Sequence, residues 1–136
     1  MSDRITIKGR DGAFSAFIRQ PEAIPAPAVI VLHEVFGVNA DIRKTCDELA
    51  VQGFIAAAPD LFWRQEPGVD LGVTSEPDWQ HGLRLYQAYD RDAGVRDIQD
   101  CVDNVAKLPG VQRQSRSSRL LSWRADGLPD GNSLRG

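Results

Sequence analysis

Ala28-Val29-Ile30-Val31-Leu32 is an unbroken apolar run, set off by Pro25 and Pro27 before it and Gly37 after it. A short continuous run rich in β-branched residues reads as a strand buried on both faces, the habit of parallel sheets covered by helices. Arg4 to Lys8 alternates apolar and polar, Gly9 to Gly12 turns, and Ala13 to Ile18 returns, so a hairpin is expected at the sheet's edge. Asn39 or Asp41 can cap a helix running to about Gln52, with Ile42, Cys46 and Leu49 at helical spacing. Gly53 ends that helix, and Phe54 to Ala58 is the next buried strand, stopped by Pro59-Asp60. The strand–helix–strand unit implies a right-handed crossover and a parallel pair.

Leu61 to Val73 has no period and reads as a long excursion at the top of the sheet, a length of loop that is often functional. Ser75 with Asp78 three residues on resembles a capping box opening a helix through about Tyr89. Asp92 to Leu108 is a second amphipathic helix, with Val95, Ile98, Cys101, Val102 and Val105 on one side, ended by Pro109-Gly110.

Composition sets limits. At 136 residues the chain is one domain at most, and 42% hydrophobic with 26% charged residues is ordinary for a soluble globular protein. A formal charge of −3 argues against nucleic acid as partner, and no apolar stretch approaches membrane-spanning length. Met1-Ser2-Asp3-Arg4 has no apolar signal core, and the two cysteines, Cys46 and Cys101, show no metal-ligand spacing; a reducing cytoplasm is expected, with both thiols buried on helices. The charge balance changes after Gly110. Residues 1–110 carry 11 basic and 17 acidic side chains, whereas 111–136 carry five arginines and two aspartates. The tail reads as a solvated, irregular basic segment.

His33 and Glu34 follow the central strand at its carboxyl end, where open α/β sheets bind ligands. On the residues alone, Glu34 reads first as a carboxylate capping the next helix, and His33 as an imidazole hydrogen-bonded to backbone. His33-Glu34 lacks the second histidine of a zinc motif, and His81 reads as a solvated helix side chain.

His33-Glu34-Val35-Phe36-Gly37-Val38-Asn39 resembles the dienelactone hydrolase (carboxymethylenebutenolidase) family of α/β-hydrolases. Gly53-Phe54, Ala58-Pro59-Asp60-Leu61-Phe62, Tyr86-Gln87-Ala88-Tyr89-Asp90 and Ala93-Gly94-Val95-Arg96-Asp97 support the resemblance in order. The resemblance implies a three-layer α/β fold with a mixed, mostly parallel sheet, and hydrolysis of a lactone or small ester by a Cys-His-Asp triad, with no cofactor and no metal. Glu34 then matches the glutamate that positions or activates the nucleophilic thiol. The backbone N–H of Val35 matches one oxyanion-hole donor. Trp79 stands where family members acting on dienelactone carry an arginine for a substrate carboxylate, and His33 stands where glutamine is usual.

The resemblance covers nearly all of residues 1–110 and stops before the nucleophile elbow, the strand-to-helix turn with pattern G-x-C-x-G-G. The run Gln114 to Arg124 takes its place, and shifting the frame by one nucleotide permits K-V-G-V-V-G-Y-C-L-G-G over those codons. The expectation is a frameshifted chain, truncated before the elbow. The nearest hydrolase-like string, Gly131-Asn132-Ser133-Leu134-Arg135, lacks the second glycine and reads with no strand before it. As written, the polypeptide has no triad and is expected to be inactive. The alternative is a non-enzymatic remnant or a fragment that only binds a small molecule. The sequence leaves the oligomeric state open.

Overall fold

The computed structural model describes residues 3–112 and the backbone of 121–124. Eight elements follow one another: β1 Arg4–Gly9, β2 Gly12–Arg19, β3 Ala28–Leu32, α1 Ala40–Val51, β4 Ile55–Pro59, α2 Glu76–Gln87, α3 Arg91–Ala106 and β5 Leu121–Arg124. The strands form one sheet in the order β1-β2-β4-β3-β5. β3 and β4 pair in parallel, with Val29 opposite Ala56, as the connection through α1 requires. The hairpin lies along β4 and adds two antiparallel pairings. The mixed sheet is therefore evenly divided over the described strands, because β2 meets both β1 and β4 in antiparallel fashion.

Alternation along the strands sorts the core into two layers. Val29 and Val31 of β3 and Ala56 and Ala58 of β4 face Ile42, Cys46 and Leu49 of α1. Ala28, Ile30, Ile55 and Ala57 face the other way and pack with Ile7, Phe14, Cys101 and Val105, the last two from α3. β3 is thus buried on both faces. Each such branched side chain contributes about 1.5–3 kcal/mol on burial.

Helix ends follow local chemistry. Asn39 caps α1, its side chain accepting from Ile42 N–H; Ser75 caps α2 by accepting from Asp78 N–H; Asp90 caps α3 by accepting from Ala93 N–H. Glu34 caps none of the three described helices, which removes the capping reading of that residue.

Two expectations fail. Val95 is 65% exposed, and the buried face of α3 carries Asp97 and Asp100 beside Cys101 and Val105. Those carboxylates are tolerated because donors from elsewhere reach them: the Arg64 cation and the neutral Trp63 Nε1–H donate to Asp97, and the Arg10 cation donates to Asp100. The second difference concerns the tail, expected to be irregular or weakly helical. Leu121–Arg124 pairs in parallel with β3, Val29 opposite Leu121, where β3 would otherwise offer unpaired N–H and C=O groups. The hydrolase-like string at 131–135 and most of the shifted-frame run lie outside the described residues.

Candidate functional site

β3 ends at Leu32, and the next five residues form a turn rather than continuing the sheet. Glu34 C=O accepts from Gly37 N–H at 3.2 Å, and Gly37 C=O accepts from Asn39 N–H at 2.9 Å, so the chain folds back directly into α1. Gly37 adopts φ 74°, and a Cβ there would overlap the backbone of Val69. The turn is tied to the excursion at 61–73 in two further places: Leu71 N–H donates to Phe36 C=O at 3.0 Å, and Asn39 Nδ2 donates to Leu71 C=O at 3.3 Å. α2 presses on the turn from the opposite side. Gly82 is buried there, and a Cβ would overlap the Val35 carbonyl.

The excursion has its own small core of Phe62, Val69 and Leu71, joined by Phe36, Leu85 and Tyr89. Asp60 organises its start: buried, it accepts from Phe62 N–H at 3.2 Å and from Gly68 N–H at 2.8 Å. Burial raises the Asp60 carboxyl above the ordinary aspartate range, and the Gly68 N–H works against that. Asp97 anchors the excursion's middle to α3, holding Trp63 Nε1 at 2.9 Å and Arg64 at 2.8 Å. Trp63 also stacks on Phe14, 5.3 Å between centroids.

Between the turn, the excursion and α2 lies a cleft of about 440 Å³. Its wall includes Glu34, Val35, Phe62, Tyr86, Tyr89 and Ile98. Glu34 is exposed at its mouth, and among the described residues its carboxylate has no partner. The Val35 N–H likewise has no acceptor among the described residues. A carboxylate and a backbone donor on neighbouring residues, both unengaged at a strand's carboxyl end, can accept a proton and stabilise a developing anion.

His33 is held as the sequence reading expects, by backbone. Leu61 N–H donates to Nε2 at 2.9 Å, and Nδ1 stands 2.7 Å from Glu34 C=O. Phe62 packs against the ring, 4.9 Å between centroids. Desolvation lowers the His33 pKa, outweighing the Glu34 carbonyl and the charge of Asp60. His81 is not simply solvated: its Nε2 lies 2.8 Å from Glu66 Oε1. Trp79 is 40% exposed and tilts against Phe36, outside the cleft wall.

Neither cysteine reaches the cleft. Cys46 is buried on α1 and Cys101 on α3, and burial pushes each thiol up to about 12. Among the described residues no group of three His, Cys, Asp or Glu side chains gathers as metal ligands, and no helix is long and apolar enough to cross a membrane. Sequence reasoning missed Asp97, Asp100 and Arg64, whose pairing spans 33 residues or more. It also missed Gly82, although a lone glycine inside a helix is a signal of close approach.

The model of the Dienelactone hydrolase family matches residues 14–115. A carboxymethylenebutenolidase of Pseudomonas putida is 38% identical over 103 residues, covering 75% of this chain and 44% of the relative. Carboxymethylenebutenolidase 1 of Cupriavidus pinatubonensis is 34% identical over 110 residues, covering 80% of this chain and 47% of the relative. A crystal structure of a putative dienelactone hydrolase from Klebsiella pneumoniae superposes with TM-score 0.69 at 25% identity, covering 89% of this chain and 48% of that one. The chain thus spans less than half the length of these relatives.

Proposed function

Because the chain belongs to the dienelactone hydrolase family, we propose that its cleft is the oxyanion-side half of a site hydrolysing lactones or small esters through a cysteine nucleophile. In that reading Glu34 takes the proton of an elbow thiol, or holds the thiol in its attacking rotamer. The thiolate adds to the ester carbonyl, and Val35 N–H donates to the oxygen as it gains charge. Collapse of the adduct expels the alkoxide, and water later releases the acid from the thioester. The observation carrying this reading is the pair of unengaged groups, Glu34 carboxylate and Val35 N–H, side by side at the end of β3.

The nucleophile is not in these 136 residues. Cys46 and Cys101 are buried away from the cleft, with thiols held protonated at neutral pH. We therefore assign this polypeptide the role of a fragment that admits an ester or lactone without turning it over. The small molecule is its partner, neither nucleic acid nor membrane is, and the cytoplasm suits its free thiols. The family match ending at residue 115 supports a change of reading frame near Gln114. Reading the coding sequence across Gly110 tests it: a neighbouring frame without a family-like elbow removes the frameshift.

Incubation with p-nitrophenyl acetate, followed by mass spectrometry, tests the chemistry. The expected result is release no faster than buffer and no acyl adduct on either cysteine. Robust turnover abolished by Glu34→Gln would overturn the inactivity.

A further inference from the structure

We infer that His33 is the positioning residue of this site, a neutral imidazole that splices the end of β3 to the segment leaving β4 and so sets the turn bearing Glu34 and Val35. The inference rests on the proposed role of that turn, but its physical content can be measured without any reaction.

The geometry admits one proton arrangement. Leu61 N–H donates to Nε2 at 2.9 Å, so Nε2 must present a lone pair. Nδ1 lies 2.7 Å from Glu34 C=O, an acceptor, so Nδ1 must carry the hydrogen. A neutral ring has one donor and one acceptor, and both are used. Phe62 packs against the ring and Leu61 is buried, so the hydrogen bond from Leu61 N–H is shielded from water, while the one to Glu34 C=O lies on the exposed side of the ring. The Glu34 carbonyl is thereby gripped from two sides, by the imidazole and by Gly37 N–H. The Val35 N–H belongs to the same peptide plane as that carbonyl. Fixing the carbonyl therefore fixes the direction of the proposed oxyanion donor.

Protonating the ring would set Nε2–H against Leu61 N–H and open the splice. Among the described residues, Asp60 just past β4 acts on the ring's charge, and Glu34 on its own turn, with Tyr86 of α2 and Tyr89 beyond it, line the cleft that the ring shares. Asp60 favours the charged ring, while burial disfavours it more strongly. The splice is thus closed at neutral pH and opens on acidification.

Long-range ¹⁵N–¹H spectra of the two histidines, together with amide exchange, test this on the 136-residue chain. His81→Gln assigns the signals. The expected result is the Nδ1–H tautomer for His33, with the Glu34, Val35 and Leu61 amide shifts following its titration while Ile42 and Cys46 amides on α1 stay still. His33→Ala is expected to speed Leu61 amide exchange about tenfold or more, and His33→Gln, which keeps one acceptor and one donor, to restore most of it. An Nε2–H tautomer, or Val35 and Leu61 amides indifferent to His33 titration, would overturn the inference. The tautomer is read on the unaltered chain, so it decides the matter even if His33→Ala does not fold. A closed splice beside a Val35 that ignores esters would leave this inference standing and remove the proposed function instead.

Discussion

Replacing Asp97 by alanine strips a buried carboxylate that binds the excursion to α3. Asp97 is 1% exposed and accepts from Trp63 Nε1 at 2.9 Å, Arg64 Nε at 2.9 Å and Arg64 Nη2 at 2.8 Å. Removing one partner of a buried ion pair costs about 3–5 kcal/mol, because the other charge is left desolvated. Arg64 is 29% exposed and keeps Asp11 as a second partner at 2.8 Å, so water and Asp11 recover part of the loss. The expected destabilisation is then about 2–4 kcal/mol. With a slope of about 2 kcal/mol per molar urea, the midpoint falls by about 1–2 M. Asp97→Asn retains an acceptor for the indole and should lose about half as much. Asp11→Ala, at the exposed end of the same guanidinium, should move the midpoint far less. Urea titration followed by tryptophan fluorescence reads all three, since Trp63 sits in the network. If Asp97→Ala shifts the midpoint no more than Asp11→Ala, the buried pair does not hold the excursion as described.

Gly82→Ala drives a methyl group into the Val35 carbonyl; the overpacking costs about 1–3 kcal/mol, against about 1 kcal/mol gained in helix propensity. A variant that melts above the parent protein would show that α2 does not press on the turn. Acidification should destabilise the fold through His33: its folded pKa is lowered, so the unfolded chain takes up the proton first. The stabilisation is complete above the ordinary histidine value of about 6.5 and is lost as pH falls below it. His33→Gln should flatten that part of the stability profile, and an unchanged profile would refute the assignment. Cys46 and Cys101, with thiols near 12, should react with Ellman's reagent at pH 8 about a thousandfold more slowly in the native chain than in denaturant; a fast native reaction would contradict their burial.

The layered fold was legible because its strands obey simple periods. β3 is Ala28–Leu32 as its apolar run indicates, and Asn39 and Ser75 mark helix starts because each accepts from an N–H three residues on, within any local window. The α3 face was misread at Val95 because hydrophobicity was taken as the sole reason for burial. Asp97 and Asp100 are buried by partners 33 and 90 residues away, which no local window contains. His33 was legible as a backbone-bonded imidazole, but its grip on Leu61 depends on β4 lying beside β3. Glu34 and Val35 were singled out through family resemblance alone, since a lone carboxylate after a strand has several ordinary explanations. The strand at Leu121–Arg124 follows from the open edge of β3 rather than from any pattern in the tail.

The central claim is that Glu34 and Val35 form one side of an ester-binding site at the end of β3. Titrating the ¹⁵N-labelled chain with phenyl acetate and following the Val35 amide tests it most directly. The account predicts a saturable downfield shift of the Val35 N–H, with smaller changes at Phe62 and Tyr89 and the ester recovered intact. A Val35 signal unmoved while amides elsewhere respond would place the ligand outside this cleft and contradict the claim.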